Sequence, residues 1–144
     1  RPSRSTLFPY TTLFRSGKFA HRVPLSDAML SILEPLQAMK SNYIFEGQKR
    51  HKPLSNMAML MLLRRMGVEG VTVHGFRSTF RVWASEVALA PREVAEKSLS
   101  HKVGSDVERA YARSDLLDRR RDLMEQWSAY VTGEQWQVVR LGRT

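Results

Sequence analysis

Apolar side chains recur along this chain mostly at helical spacing, with one short exception near its start. Residues 18–25 (KFAHRVPL) read as a brief strand, the second arm of a hairpin, ended by Pro24. Ser26 then caps a helix to about residue 39, with Met29, Ile32, Leu33 and Leu36 on one face. Pro35 is expected to kink or divide it. Tyr43, Ile44 and Phe45 form a short extended element, followed by a polar, basic loop over 47–53. Ser55 opens a helix over 56–66 that is apolar nearly all round (Met57, Met59, Leu60, Met61, Leu62, Leu63). Such a pattern predicts a central, buried helix in which the methionines are adaptable core filling. Arg64 and Arg65 stand at its C-terminal end, where cations suit the helix dipole.

Gly67 and Gly70 interrupt the chain before Val71, Thr72 and Val73. A helix over about 75–89 comes next, with Phe76, Phe80, Trp83, Ala84 and Val87 at helical spacing. Pro91 opens a short helix at the position where proline is tolerated. Ser105 or Asp106 starts another toward Ala112. Ser114 caps the last one, striped by Leu116, Leu117, Leu123, Met124, Trp127 and Val131 and ended by Gly133. The fold class is mainly α with a small β-hairpin or strand element.

Composition adds a direction to this picture. There are 23 Lys plus Arg against 14 Asp plus Glu, a formal charge of +9, which favours a polyanionic partner. Self-repulsion for solubility is the plainer use of the same charge. The 144 residues hold no cysteine, which excludes disulfides and thiolate chemistry and fits a reducing, cytoplasmic setting. No apolar run approaches the ~20 residues that cross a bilayer, so no membrane partner is expected.

Residues 1–16 (RPSRSTLFPYTTLFRS) have no helical or alternating period that carries on past residue 17. Residues 6–16 resemble the translation of a sequencing-library adaptor, so 1–16 are read as a non-native segment; a genuine aromatic-bearing strand is the other reading. Setting its three arginines aside leaves +6. The remaining boundaries are 17–132 for a truncated domain and 133–144 for a C-terminal tail.

Four residues could do chemistry: His74 and Arg77 in HGFR, His101 in LSH, and Tyr111 in ERAYAR. His74 and Arg77, three apart at a helix start, can project from one face. The helix N-terminus behind them suits a phosphate, and Arg77 can fork onto two of its oxygens. A phenol can attack phosphorus and form a covalent intermediate, and histidine can move protons near neutral pH. Each residue has a duller reading taken singly. A tyrosine on a helix is usually packing, a lone histidine such as His21 or His51 is usually structural, and Arg77 has Glu86 or Glu93 as ordinary partners.

Taken together, HGFRSTFRVWASE and LSHKVGSDVERAYARSDLLDRRRDLMEQWSAYV resemble the HxxR box and the histidine–tyrosine stretch of the tyrosine recombinase (phage integrase) family. HRVPLS and KPLSNMAMLMLLRRMG resemble further segments of prophage-type integrases, so the resemblance covers most of residues 18–132. It implies a partial tyrosine-recombinase catalytic domain acting in site-specific DNA integration or excision. Tyr111 would be the nucleophile that forms a 3′-phosphotyrosine, and Arg77 the second of two phosphate-clamping arginines. His74 would assist hydrogen bonding and proton transfer, and His101 would contact the scissile phosphate. The resemblance implies double-stranded DNA and other recombinase protomers as partners, no small-molecule substrate, and no metal or other cofactor.

The chain departs from the family in two places. The family's first arginine belongs upstream of the hairpin, where residues 1–16 stand. Its general-acid lysine belongs near Ser16, with Lys18 the only lysine close by. A fragment without these groups and without the family's N-terminal DNA clamp is expected to be weak or inactive. The alternative is a non-catalytic DNA-binding or recombinase-docking module. A metal site is disfavoured because no carboxylate or cysteine motif completes a ligand set around the histidines.

Overall fold

A computed structural model describes residues 11–16, 19–37, 43–49, 51–101, 103–104 and 114–134. The described chain is mainly helical, with one antiparallel hairpin. Strands β1 (Thr11–Ser16) and β2 (Phe19–Pro24) pair from Thr11 opposite Pro24 to Ser16 opposite Phe19. Residues 11–16, set aside in the sequence as non-native, are thus a strand in the structure. Pairing of this kind needs only a free edge and β-branched or aromatic side chains, which an appended segment and a native one share.

Helix α1 (Asp27–Gln37) begins where Ser26, fully buried, accepts at its hydroxyl from the Met29 amide at 3.2 Å. It runs through Pro35 without dividing. Proline near a C-terminal end forfeits little beyond its own amide bond.

Helix α2 (Ala58–Arg65) overturns the expectation of burial. Only Leu63 is buried, while Met57, Met59, Met61 and Leu62 are exposed, Met59 at 55%. Its N-cap is Met57 with no side-chain cap, so Ser55 does not open it through its hydroxyl. An all-round apolar sequence states that a helix favours burial but names no partner. Among the described residues no helix packs broadly against α2.

The core lies where α3 (Val73–Glu86), α4 (Arg92–Ser98) and α5 (Leu117–Thr132) meet. Phe80, Trp83 and Ala84 from α3 pack with Val94 and Ala95 of α4, Leu99 just beyond it, and Leu123 of α5. Trp127 joins them, with its ring edge-on to Phe80 at 5.4 Å and tilted against Trp83 at 4.9 Å. Aromatic pairs in these geometries add about 0.5–1.5 kcal/mol each beyond burial. Gly133, in the left-handed region at φ 74°, ends α5 as its sequence position predicts.

One buried position on α5 is not apolar. Arg120 is 1% exposed, and its guanidinium donates to the main-chain carbonyls of Arg22, on β2, and of Asp115, the latter at 3.3 Å. It also stands 3.2 Å from His21 Nε2 and 3.9 Å from the Asp115 carboxylate. Arg22 reaches the same carboxylate from outside, with Nε at 3.0 Å and Nη2 at 2.8 Å. These contacts fasten β2 to α5 and the segment that leads into it.

Candidate active site

Thr72 sets the geometry of the HGFR segment. It is extended (φ −111°, ψ 153°), and its hydroxyl accepts from the Gly75 amide at 3.0 Å. This cap starts α3 at Val73, two residues before the expected start, and puts His74 in the first turn. The far end comes early as well. Leu89 takes a left-handed φ of 50°, and the Ala90 amide donates back to the Ala84 carbonyl at 2.8 Å.

Arg77 and Arg81 lie one turn apart on α3, and both hold the C-terminal end of α4. Arg77 is half-buried, and its guanidinium donates to the main-chain carbonyl of Leu99. Its partner is therefore neither Glu86 nor Glu93, and Glu93 pairs instead with Lys97 at 2.9 Å. Arg81 Nε donates to Glu96 Oε1 at 2.7 Å. The last carbonyls of a helix lack intrahelical donors and carry partial negative charge, so cations are favoured there.

The end of α4 folds back in a Schellman turn. Ser100, at φ 58°, donates its amide to the Lys97 carbonyl at 3.1 Å, and the His101 amide donates to the Glu96 carbonyl at 3.0 Å. The reversal lays the His101 ring over Glu96, with Nδ1 2.5 Å from Oε2. Hydrogen bonds from His101 and Arg81, helped by their charges, hold the Glu96 carboxyl below the usual carboxylate range against the opposing effect of burial.

His21 enters from β2. Burial lowers its pKa, the Arg120 charge lowers it further, and Arg77 acts in the same sense. A main-chain hydrogen bond with Ser98 and the Asp115 charge oppose them. The His21 ring, set among cations, is thereby harder to protonate than an ordinary imidazole. For Asp115, burial works to raise the pKa, but the hydrogen bond and charge of Arg22, with Arg120 behind, leave it lowered.

The structure thus places Arg77 and His101 at one helix end, joined through Leu99. His74 lies exposed at the start of the same helix as Arg77, and among the described residues no hydrogen bond or ion pair links it to either. Tyr111, Lys18 and the helix expected to run toward Ala112 lie outside the described residues. Sequence reasoning passed over Glu96, Arg81 and Arg120, and treated His21 as structural. A helical count would have found two of them: Arg81 is four after Arg77, and Arg120 falls between Leu116 and Leu123 on the inward stripe. Among the described residues no three metal-capable side chains come together. No described helix is long and apolar enough to cross a membrane.

Fold and site together define a mainly helical domain with an arginine and a histidine brought to one helix end. Comparison with known proteins makes the class specific. The chain is 37% identical over 115 residues to prophage integrase IntA of Escherichia coli K12, covering 77% of this chain and 28% of that protein. It is 31% identical over 120 residues to the integrase of Shigella phage Sf6, covering 80% of this chain and 31% of the relative. The same identity and coverage hold for prophage integrase IntS of Escherichia coli K12. No family profile and no solved structure matches the chain. The chain belongs to the phage integrase family, and it spans under a third of the length of these curated relatives.

Proposed function

We propose that this chain supplies the strand-transfer part of a site-specific DNA recombinase. In this reading the Tyr111 phenol oxygen bonds to the scissile phosphorus as the bond to the 5′ oxygen breaks. The products are a 3′-phosphotyrosine and a free 5′-hydroxyl: the phenolic proton is lost to a base, and the leaving 5′ oxygen takes up a proton from a general acid of the full-length enzyme. The covalent link conserves the phosphodiester energy, so no nucleotide cofactor is required. Arg77 clamps the phosphate, His101 donates to it, and His74 assists proton transfer. Double-stranded DNA is the partner, and other protomers join on it.

The observation that supports this best is the junction of α3 and α4. There Arg77 holds the Leu99 carbonyl and His101 stands two residues later, so two of the proposed phosphate donors share one helix end. The +9 charge favours the polyanion the reading requires.

A nicked DNA trap followed by denaturing electrophoresis tests the reading. A full-length integrase carrying this segment is expected to form a covalent adduct that Tyr111→Phe abolishes; an adduct that persists in the variant removes Tyr111 from the role. The 144-residue chain alone is expected to give little or none, since losing one transition-state donor costs about 10²–10³ in rate.

A further inference from the structure

We propose that Glu96 is the positioning residue for His101: its carboxylate fixes the ring with Nδ1 turned inward, so that Nε2 is the nitrogen presented to the DNA phosphate. This role rests on the strand-transfer function proposed for the chain.

The backbone already brings the pair together. Glu96 and His101 occupy the two positions of the Schellman turn whose side chains ordinarily make an apolar contact. Here those positions carry a carboxylate and an imidazole, with Nδ1 2.5 Å from Oε2. Glu96 is held in turn, because Arg81 Nε occupies Oε1 at 2.7 Å.

Exposure separates the roles. The Glu96 side chain is 19% exposed and the His101 side chain 45%, so the carboxylate is the sheltered end and the ring the open one. An incidental surface ion pair leaves both ends solvated and contributes little. A sheltered acceptor behind an open histidine instead decides which ring nitrogen carries the proton and which is left for chemistry.

The hydrogen bond to Glu96 holds in both protonation states of the ring. Neutral His101 donates its Nδ1 proton to Glu96 and offers the Nε2 lone pair. Protonated His101 keeps that donation and gives its Nε2 proton to a non-bridging phosphate oxygen. Orientation therefore survives proton transfer. Arg81 acts one step further back, by holding the carboxylate.

The test uses a full-length integrase carrying this segment, labelled with nitrogen-15 at histidine, and the same nicked DNA. Wild type is expected to show His101 protonated at Nδ1. Glu96→Ala is expected to shift the ring toward the other tautomer and to slow adduct formation at saturating DNA by about 10–100-fold, the usual cost of removing an orienting partner. Its Kd for DNA should stay unchanged. Glu96→Gln keeps an oxygen acceptor and the side-chain shape, so it should retain the Nδ1 proton and recover part of the rate, and it carries the test if the alanine variant does not fold. Wild-type rate and tautomer in both variants would overturn the proposal. So would a rate loss that tracks weakened DNA binding while the ring is unchanged, because that is a structural role. If wild type forms no adduct, the strand-transfer reading itself fails and the positioning role falls with it.

Discussion

Replacing Arg120 with methionine removes the guanidinium from the interior while keeping an unbranched apolar stem, and the structure sets the expected cost. Arg120 is 1% exposed and donates to two main-chain carbonyls, of Arg22 and of Asp115. Leaving a buried acceptor unsatisfied costs about 1–3 kcal/mol. The ion pair adds less, because Asp115 is 39% exposed at 3.9 Å and keeps Arg22 as a partner. Against these losses stands relief from burying a guanidinium, which in some proteins makes apolar replacement neutral or better. Two orphaned carbonyls, one on β2 and one in the segment that leads into α5, outweigh that relief. The net expectation is a loss of about 2–4 kcal/mol. Urea unfolding followed by circular dichroism measures it, with the midpoint falling and the slope unchanged. Arg120→Lys should recover only part, because an ammonium cannot fork between two carbonyls. An Arg120→Met protein as stable as wild type would refute the reasoning and mark the arginine as a tolerated charge.

Local geometry yields two further outcomes. Ser100 sits at φ 58°, a conformation costing a non-glycine residue about 1–2 kcal/mol, so Ser100→Gly should raise stability by up to about 1 kcal/mol after its unfolded-state entropy, read as a higher urea midpoint. Acid should act in two stages. The His21 pKa lies below its ordinary 6.5, so the unfolded chain takes up that proton first, and stability falls as pH drops below about 6.5 toward the folded value. Glu96 and Asp115 lie below their ordinary 4.5 and 3.8, so their contributions are present above those values and are lost as pH falls through their folded values. Thermal melts across pH check the order, and His21→Gln should flatten the upper stage while leaving the lower one.

What the sequence disclosed, and what it withheld, divides along physical lines. Phe80, Trp83 and Ala84 were legible as a buried face because helical spacing sorts apolar residues regardless of partner. Gly133 was legible because a left-handed helix end selects glycine. The fate of α2 was not, since Met59 and Leu62 state a preference for burial that only tertiary contacts can satisfy. Arg120 was hidden by its neighbours Arg119 and Arg121, which make the run look like a solvated charge cluster. At the site, the HxxR spacing was plain in the residues, but the partner of Arg77 was not. A main-chain carbonyl is an acceptor that every residue carries, so no side-chain pattern announces it. Glu96 escaped for a related reason: its meeting with His101 depends on a chain reversal at Ser100, a residue type that does not advertise positive φ.

Leu99 ties two properties of the molecule that are usually separable. Its side chain belongs to the interior cluster, while its carbonyl is what Arg77 grips, and His101 stands two positions on. A loosening of the interior around Trp83 or Leu123 is therefore transmitted to that carbonyl directly, without an intervening hinge. Substitutions that soften the aromatic packing would be felt as disorder at Arg77 and His101 before any unfolding is measurable.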